Sequence, residues 1–382
     1  MSDIEFLQKL LCIDSSNPPG NEKAVAEVFQ ARAERAGLVV KQSDVAPNRS
    51  NLEVRLNGKS GAKLLLCGHM DTVTVGEGKW TYAPFSGERV GNRLYGRGAS
   101  DMKSGLAAMY LALESIHEEG GTLPGDVVFL ATAGEEVDSC GARTYLQTET
   151  MSDVDALVIG EPTGEKIAIG HKGALWLQIT TYGKTAHGSM PQHGVNAVRH
   201  MAHIIDIIEQ LSLRWKLSQD VLGESSMAPT KIEGGVQTNV IPDYCTLNVD
   251  IRTVPPQQHE TAVSELQQKL DEYAEQHEGL KIAVTPILDR PALLSDRHDA
   301  IIKTALTIKG QQPQQCVGMS YYTDGSVLNA RSEIPTLIYG PGDEKLAHQP
   351  DEWVDVEAYL RSIQFYKRLV TDYFHCYEKS TS

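Results

Sequence analysis

The chain has 382 residues, 41% hydrophobic and 22% charged, which excludes a disordered chain or a fibre and suffices for two domains with separate cores. Thirty-five basic against 50 acidic residues leave a net charge of −15, which repels phosphate backbones and sets nucleic acid aside as a partner. No apolar run approaches a membrane span, and the opening MSDIEFLQKLLCIDSS lacks the basic start and apolar stretch of an export signal, so a cytoplasmic protein is expected. Its six cysteines, widely spaced and without CxxC, are then expected as reduced, mostly buried thiols.

In chain order, residues 3–12 and 22–37 read as helices, with Asn21 placed to cap the second. LEVRL (52–56) and KLLLCG (63–68) read as strands, 102–118 as a helix, and DVVFLAT (126–132) as a buried strand. SCGARTYLQ reads as a short helix and DALVIG (155–160) as another buried strand. Near-continuous apolar strands separated by helices predict an α/β domain, its mostly parallel sheet covered on both faces. From about residue 173 the pattern changes to β-α-β-β-α-β: ALWLQITTYG, a helix over 195–213, APTKIEGG, YCTLNVDIRTV, a helix over 257–276, and LKIAVTPI. That order predicts a ferredoxin-like α+β insertion. Helix 298–309, strands QQCVGM and PTLIYG, and helix 355–373 then resume the first pattern. The expected division is 1–172 with 291–382 as one domain and 173–290 as the other.

In an open α/β sheet, ligands collect at the carboxyl ends of the strands. KLLLCG ends in His69 and Asp71, DVVFLAT in Glu135 and Glu136, DALVIG in Glu161, and PTLIYG runs on to His348. Asp101 sits in the glycine turn GRGASDMKSG at the start of the 102–118 helix. His69, Asp101, Glu136, Glu161 and His348 make a donor set suited to two zinc, cobalt or manganese ions. Two such ions need a bridging carboxylate, and Asp101, held at a helix start, is the natural one. Asp71 is placed to accept the other ring N–H of His69. Of Glu135 and Glu136, one can face a metal and the other can act as general base.

Each residue alone has a plainer reading: Asp101 as a helix cap, Glu161 as a surface acid, His348 as a turn residue. Four strand ends converging on one edge outweigh those readings together. His200 and His203 are expected at solvent or an interface. GRGASD carries Asp101 where a dinucleotide loop needs glycine, and GxSxG, HExxH and a Walker A loop are missing.

GHMDTV, GRGASDMKSG, TAGEEVDSCGA and GEPTG together resemble the zinc-dependent aminoacylase/carboxypeptidase family, which includes acetylornithine deacetylase, succinyl-diaminopimelate desuccinylase and glutamate carboxypeptidase. The resemblance spans roughly residues 5–372. It implies His69 and Glu161 on one metal, Glu136 and His348 on the other, Asp101 bridging, Asp71 orienting His69, and Glu135 as the base. It implies that the insertion is a lid and dimerisation domain. There, His187 would reach the partner subunit's site and polarise the scissile carbonyl, and Asn239 and Arg252 would hold the substrate's carboxylate. Arg252 reads equally as a surface ion pair, and His187 as an exposed turn residue. Glu161, rather than aspartate, resembles the deacylases and carboxypeptidases. Tyr321 and Tyr322 match neither biosynthetic deacylase. The expectation is a homodimeric hydrolase of N-acyl amino acids; a carboxypeptidase or dipeptidase acting on short peptides is the alternative. A non-catalytic metal-binding scaffold is disfavoured, because Glu135 and all five ligand types are present.

Overall fold

A computed structural model describes residues 1–59, 61–331 and 333–381. The chain divides into two compact units, one of Met1–Gly170, Leu294–Met319 and Thr323–Ser382, the other of His171–Leu293 and Ser320–Tyr322.

In the first unit, strand Lys63–His69 lies between Asp126–Thr132 and Ala156–Ile159, parallel to both, and Thr336–Ile338 adds a fourth parallel strand beside Ala156–Ile159. These strands are buried along nearly their whole length, which is why they read as unbroken apolar runs. The margin is antiparallel. Val39–Ala46 and Arg49–Leu56 form a hairpin turned at Asn48, and Arg49–Leu56 pairs antiparallel with Asp126–Thr132. Hydropathy predicts LEVRL as a strand but passes over its outer partner, whose alternating half-exposed residues carry no apolar run.

Helix Lys103–Glu118 is buried at 13 positions. It packs so closely on the end of strand Ala156–Ile159 that a Cβ on Gly105 would lie 1.8 Å from the Gly160 carbonyl oxygen. Only glycine permits that approach, and the approach draws the loop before the helix towards Glu161. A small sheet of Arg89–Val90, Arg93–Tyr95 and Trp353–Asp355 brings a late segment of chain back beside the same loop. Asn21 stands at the N-cap of helix Glu22–Ala36, but its amide donates to the Asp14 carbonyl rather than capping the helix. Of the thiols, Cys67 and Cys245 are buried, Cys140 and Cys316 are half-buried, and Cys12 is exposed, so burial is less general than expected. The Cys376 side chain lies outside the described residues. Among those residues, no helix is long and apolar enough to cross a membrane.

The second unit is an antiparallel sheet in the order Ser226–Gly234, Tyr244–Thr253, Gly173–Tyr182, Lys281–Arg290. Helices Ala197–Trp215 and His259–Glu275 pack on its apolar row through Met201, Ile204, Leu266 and Leu270. Cys245, Leu247, Val249 and Ile251 are buried at every second position of their strand, the period that assigns one face to the core. The connection order is that of the ferredoxin-like fold. Tyr321 and Tyr322 cluster with this unit, where the Arg290 guanidinium lies 5.7 Å from the Tyr322 ring centre.

Candidate active site

Because the central strands run parallel, their carboxyl ends open on one edge. There His69 Nε2 lies 3.2 Å from Asp101 Oδ1 and 3.7 Å from Glu161 Oε1. His348 Nε2 lies 3.4 Å from Asp101 Oδ2 and 3.2 Å from Glu136 Oε2. His69, Asp101 and Glu161 form one cluster, Asp101, Glu136 and His348 another, and ligand atoms within each lie within 4.8 Å of one another. Asp101 belongs to both and turns one oxygen to each. It is not a helix cap, since Met102 holds that position, and Glu161 is buried rather than a surface acid. His348 does occupy a turn and is half exposed, with φ at 64°.

His69 Nδ1 is 2.9 Å from the main-chain carbonyl oxygen of Asp71. A carbonyl can only accept, so Nδ1 carries a proton, while Nε2 faces the carboxylates of Asp101 and Glu161. Asp71 thus meets His69 Nδ1 through its backbone carbonyl, and its carboxylate, the group expected to accept that N–H, lies 3.5 Å from the same nitrogen. That carboxylate also accepts four amide hydrogen bonds: Oδ1 accepts the Gly134 and Glu135 amides at 3.0 and 3.1 Å, and Oδ2 accepts the Glu136 amide at 3.3 Å and Asn17 Nδ2 at 2.9 Å. Asp71 thus shapes the turn that carries the two glutamates.

The edge concentrates negative charge. Asp71, Glu135, Glu161 and Asp324 are at most 5% exposed, and Asp101 and Glu136 are only slightly more open. Burial, reinforced by neighbouring carboxylates, pushes Glu135 and Glu161 well above the usual carboxylate range and Glu136 upward. Burial also pushes on Asp101, but the imidazoles of His348 and His69 outweigh it and hold Asp101 low. Glu135 Oε1 and Glu136 Oε1 are buried without a hydrogen-bond partner. Buried acids in this number, facing two imidazoles and retaining unpartnered oxygens, fit divalent cations, which supply the missing positive charge and suit an oxygen–nitrogen donor set.

Three contributors escape the strand-end reading: Asn17, Glu352 and Asp324. Asp324 Oδ2 accepts the Thr132 hydroxyl at 2.6 Å and its Oδ1 is buried unpartnered. Its signal, an acid before the short helix Gly325–Leu328, is indistinguishable from an ordinary turn.

The remaining candidates belong to the second unit. His187 and Asn239 are exposed and adjacent: Ala186–His187 pairs with Val240–Ile241, and the Gly188 amide donates to the Asn239 carbonyl at 2.7 Å. The Ser189 amide donates to His187 Nδ1 at 3.2 Å, so Nε2 carries the proton and is a donor to solvent. Arg252 makes a bidentate ion pair with Asp250 on its own strand, at 2.7 and 3.0 Å, as the plainer reading anticipates. His200 is drawn to Tyr273, whose hydroxyl lies 2.9 Å from its Nδ1, while His203 is exposed.

The sheet edge and the inserted antiparallel unit define an α/β enzyme with an added α+β domain. A family model described as peptidase family M20/M25/M40 matches residues 65–372, and the chain belongs to that family of hydrolases. It is 28% identical over 402 residues to a probable succinyl-diaminopimelate desuccinylase of Staphylococcus aureus (strain MSSA476), covering 97% of each chain. It is 32% identical over 369 residues to an acetylornithine deacetylase of Aliivibrio fischeri (strain ATCC 700601 / ES114), covering 95% of this chain and 94% of the relative. Among solved structures it resembles an M20 family metallo-carboxypeptidase from Sulfolobus solfataricus, with TM-score 0.78, 19% identity and coverage of 98% and 99%. It also resembles a dinuclear metal-binding M20 peptidase from Bacillus subtilis, with TM-score 0.73, 17% identity and 98% coverage of each.

Proposed function

We propose that the chain is a cytoplasmic, dinuclear-metal amidohydrolase that releases the acyl group from N-acyl amino acids. The observation that carries this reading is the pair of ligand clusters sharing Asp101 beside a buried Glu135 with an unpartnered oxygen. His69 and Glu161 would hold one ion, Glu136 and His348 the other, with Asp101 between them; zinc suits the set, with cobalt or manganese as alternatives. When bound, the ions polarise the scissile carbonyl and lower the pKa of an attacking water. Glu135 takes the water's proton on Oε1 and returns it to the leaving amine; a carboxyl already pushed upward by burial is matched to both transfers. His187, with its Nε2 proton facing outward, donates to the carbonyl oxygen as charge develops there. Asn239 and Arg252 receive the substrate's α-carboxylate, Arg252 by sharing the fork it now gives to Asp250.

The active form is read as a homodimer through the insertion. Ser226–Gly234 is an edge strand, with Ile232 on it 51% and the nearby Val236 86% exposed, and an uncovered edge is a liability that pairing with a second copy removes. N-acyl amino acids are favoured over peptides by Glu161 and by the names of the near-full-length relatives.

Elemental analysis of the zinc-loaded protein should give about two ions per chain, since five donors exceed one tetrahedral shell. That preparation, and its cobalt form, should hydrolyse N-acetyl or N-succinyl amino acids faster than dipeptides. One ion or fewer would remove the dinuclear reading. Turnover of dipeptides alone would remove the deacylase reading.

A further inference from the structure

Glu352 is fully buried, and both its oxygens are occupied. Oε1 accepts the amides of Ser100 and Asp101 at 2.8 and 3.0 Å. Oε2 accepts the Gly98 amide at 3.1 Å and Arg97 Nη1 at 2.6 Å. Its main-chain carbonyl accepts the Gly96 amide at 2.9 Å. One residue thus takes up five donors from the segment 96–101. That segment is buried almost throughout and joins strand Arg93–Tyr95 to helix Lys103–Glu118 without regular structure of its own. Backbone amides buried in such a turn need an acceptor from elsewhere in the chain. Strand Trp353–Asp355, paired through Trp353 with Tyr95, delivers that acceptor in fixed register.

Each Glu352 oxygen already accepts two hydrogen bonds, so the residue has no lone pair left for an ion despite lying beside Asp101. Its charge is met by Arg97, which is itself 2% exposed and reaches the Gln349 carbonyl at 3.2 Å, next to His348. The loop that supplies His348 and the turn that supplies Asp101 are thereby joined through one ion pair. His348 and Asp351 both hold positive φ without being glycine, a backbone that persists only where its surroundings fix it.

Resting on the dinuclear reading above, we propose that Glu352 is a positioning residue: it sets the Asp101 carboxylate and the His348 imidazole at the separation the shared site requires. It touches neither substrate nor metal. Glu352→Gln keeps the shape but places an amide NH2 against N–H donors on one of its two sides, which displaces the turn.

The test is cobalt binding to the full-length protein, read by visible absorption and by competition with a chelator. Wild type should load about two ions, and Glu352→Gln should bind cobalt about 10–100-fold more weakly with a shifted spectrum. Glu352→Asp, which keeps the charge and acceptors one methylene short, should fall between them; it carries the test if the glutamine variant does not fold. A loss of fold stability alone would leave the cobalt spectrum of the folded fraction unchanged. Wild-type affinity and spectrum in both variants would overturn the positioning role while leaving the dinuclear reading intact. Failure of the wild type itself to load cobalt would remove both.

Discussion

Two buried histidines, one in each unit, meet opposite surroundings. His69, at a strand end of the first unit, and His171, in the second, are both essentially inaccessible to solvent. Burial alone depresses an imidazole, and His171 follows that rule, with its pKa pushed down to about 4. Its Nδ1 meets the Lys172 carbonyl at 2.9 Å and its Nε2 has no hydrogen-bond partner. Burial acts on His69 too, but Asp101 and Asp71 beside it, with the charges of Glu161 and Glu135, push it well above the ordinary value. The same side chain at the same depth is driven towards a cation by one set of neighbours and kept neutral by the other. What distinguishes the sheet edge is therefore burial together with a cluster of acids around the imidazole. In the second unit the candidates His187 and Asn239 are exposed, and nothing within that unit fixes their purpose.

Removing the ions should separate the units most strongly. If the first unit binds divalent ions as proposed, saturation about a thousandfold above Kd stabilises it by about 4 kcal/mol. Calorimetry with and without chelator should show that loss in the first unit's transition and little change in the second's. Equal shifts in both would erase the contrast. The next effect is catalytic. Glu135→Gln should keep fold and ions yet lower kcat by about a hundredfold or more, about 2.7 kcal/mol of barrier. His187→Ala should also be inactive, for a different reason. Co-expressed, the two variants should regain activity in hybrid dimers, because each supplies what the other lacks. A nearly active His187→Ala protein, or a fully active monomer, would leave His187 an ordinary exposed loop residue.

Much of this was legible in the chain itself. Parallel strands buried on both faces read as apolar runs, and the residues just past each run are the ones the sheet brings to a common edge. His69, Glu136, Glu161 and His348 were readable in that way, and Asp101 from its glycine turn. The inserted unit was readable because its order of elements specifies its sheet. Contacts between distant segments were not. Asp71 carries an acid's signature, but nothing local says that its carboxylate also holds the turn at Gly134–Glu136. Glu352 lies 251 positions from the Asp101 amide it accepts, inside a polar run where any acid looks solvated. Asn21 has the right residue type for a cap, yet the Asp14 carbonyl competes for its side chain.

The smallest of the expected effects tests the neutral half of the histidine comparison. In the unfolded chain His171 takes up a proton below about pH 6.5, whereas in the fold it resists protonation until about pH 4. Because the folded pKa is the lower one, the contribution to stability is complete above pH 6.5. It is lost as the pH falls from there towards 4, where the folded protein also titrates. At pH 5 the unfolded state has gained about 1.5 pH units of protonation free energy, or about 2 kcal/mol. The buried acids of the first unit titrate over the same range, so the effect is read as a difference between two proteins. His171→Gln keeps a donor for the Lys172 carbonyl and has no imidazole to protonate. Denaturant midpoints followed through Trp215, which packs against the core of the second unit, in a background with Trp80 and Trp353 replaced by phenylalanine, report that unit's response. Wild type should lose about 2 kcal/mol more than His171→Gln between pH 7 and pH 5. Parallel pH dependence in the two proteins would mean that His171 is hydrated or paired in solution. Burial without acids would then no longer stand as the opposite of the His69 environment.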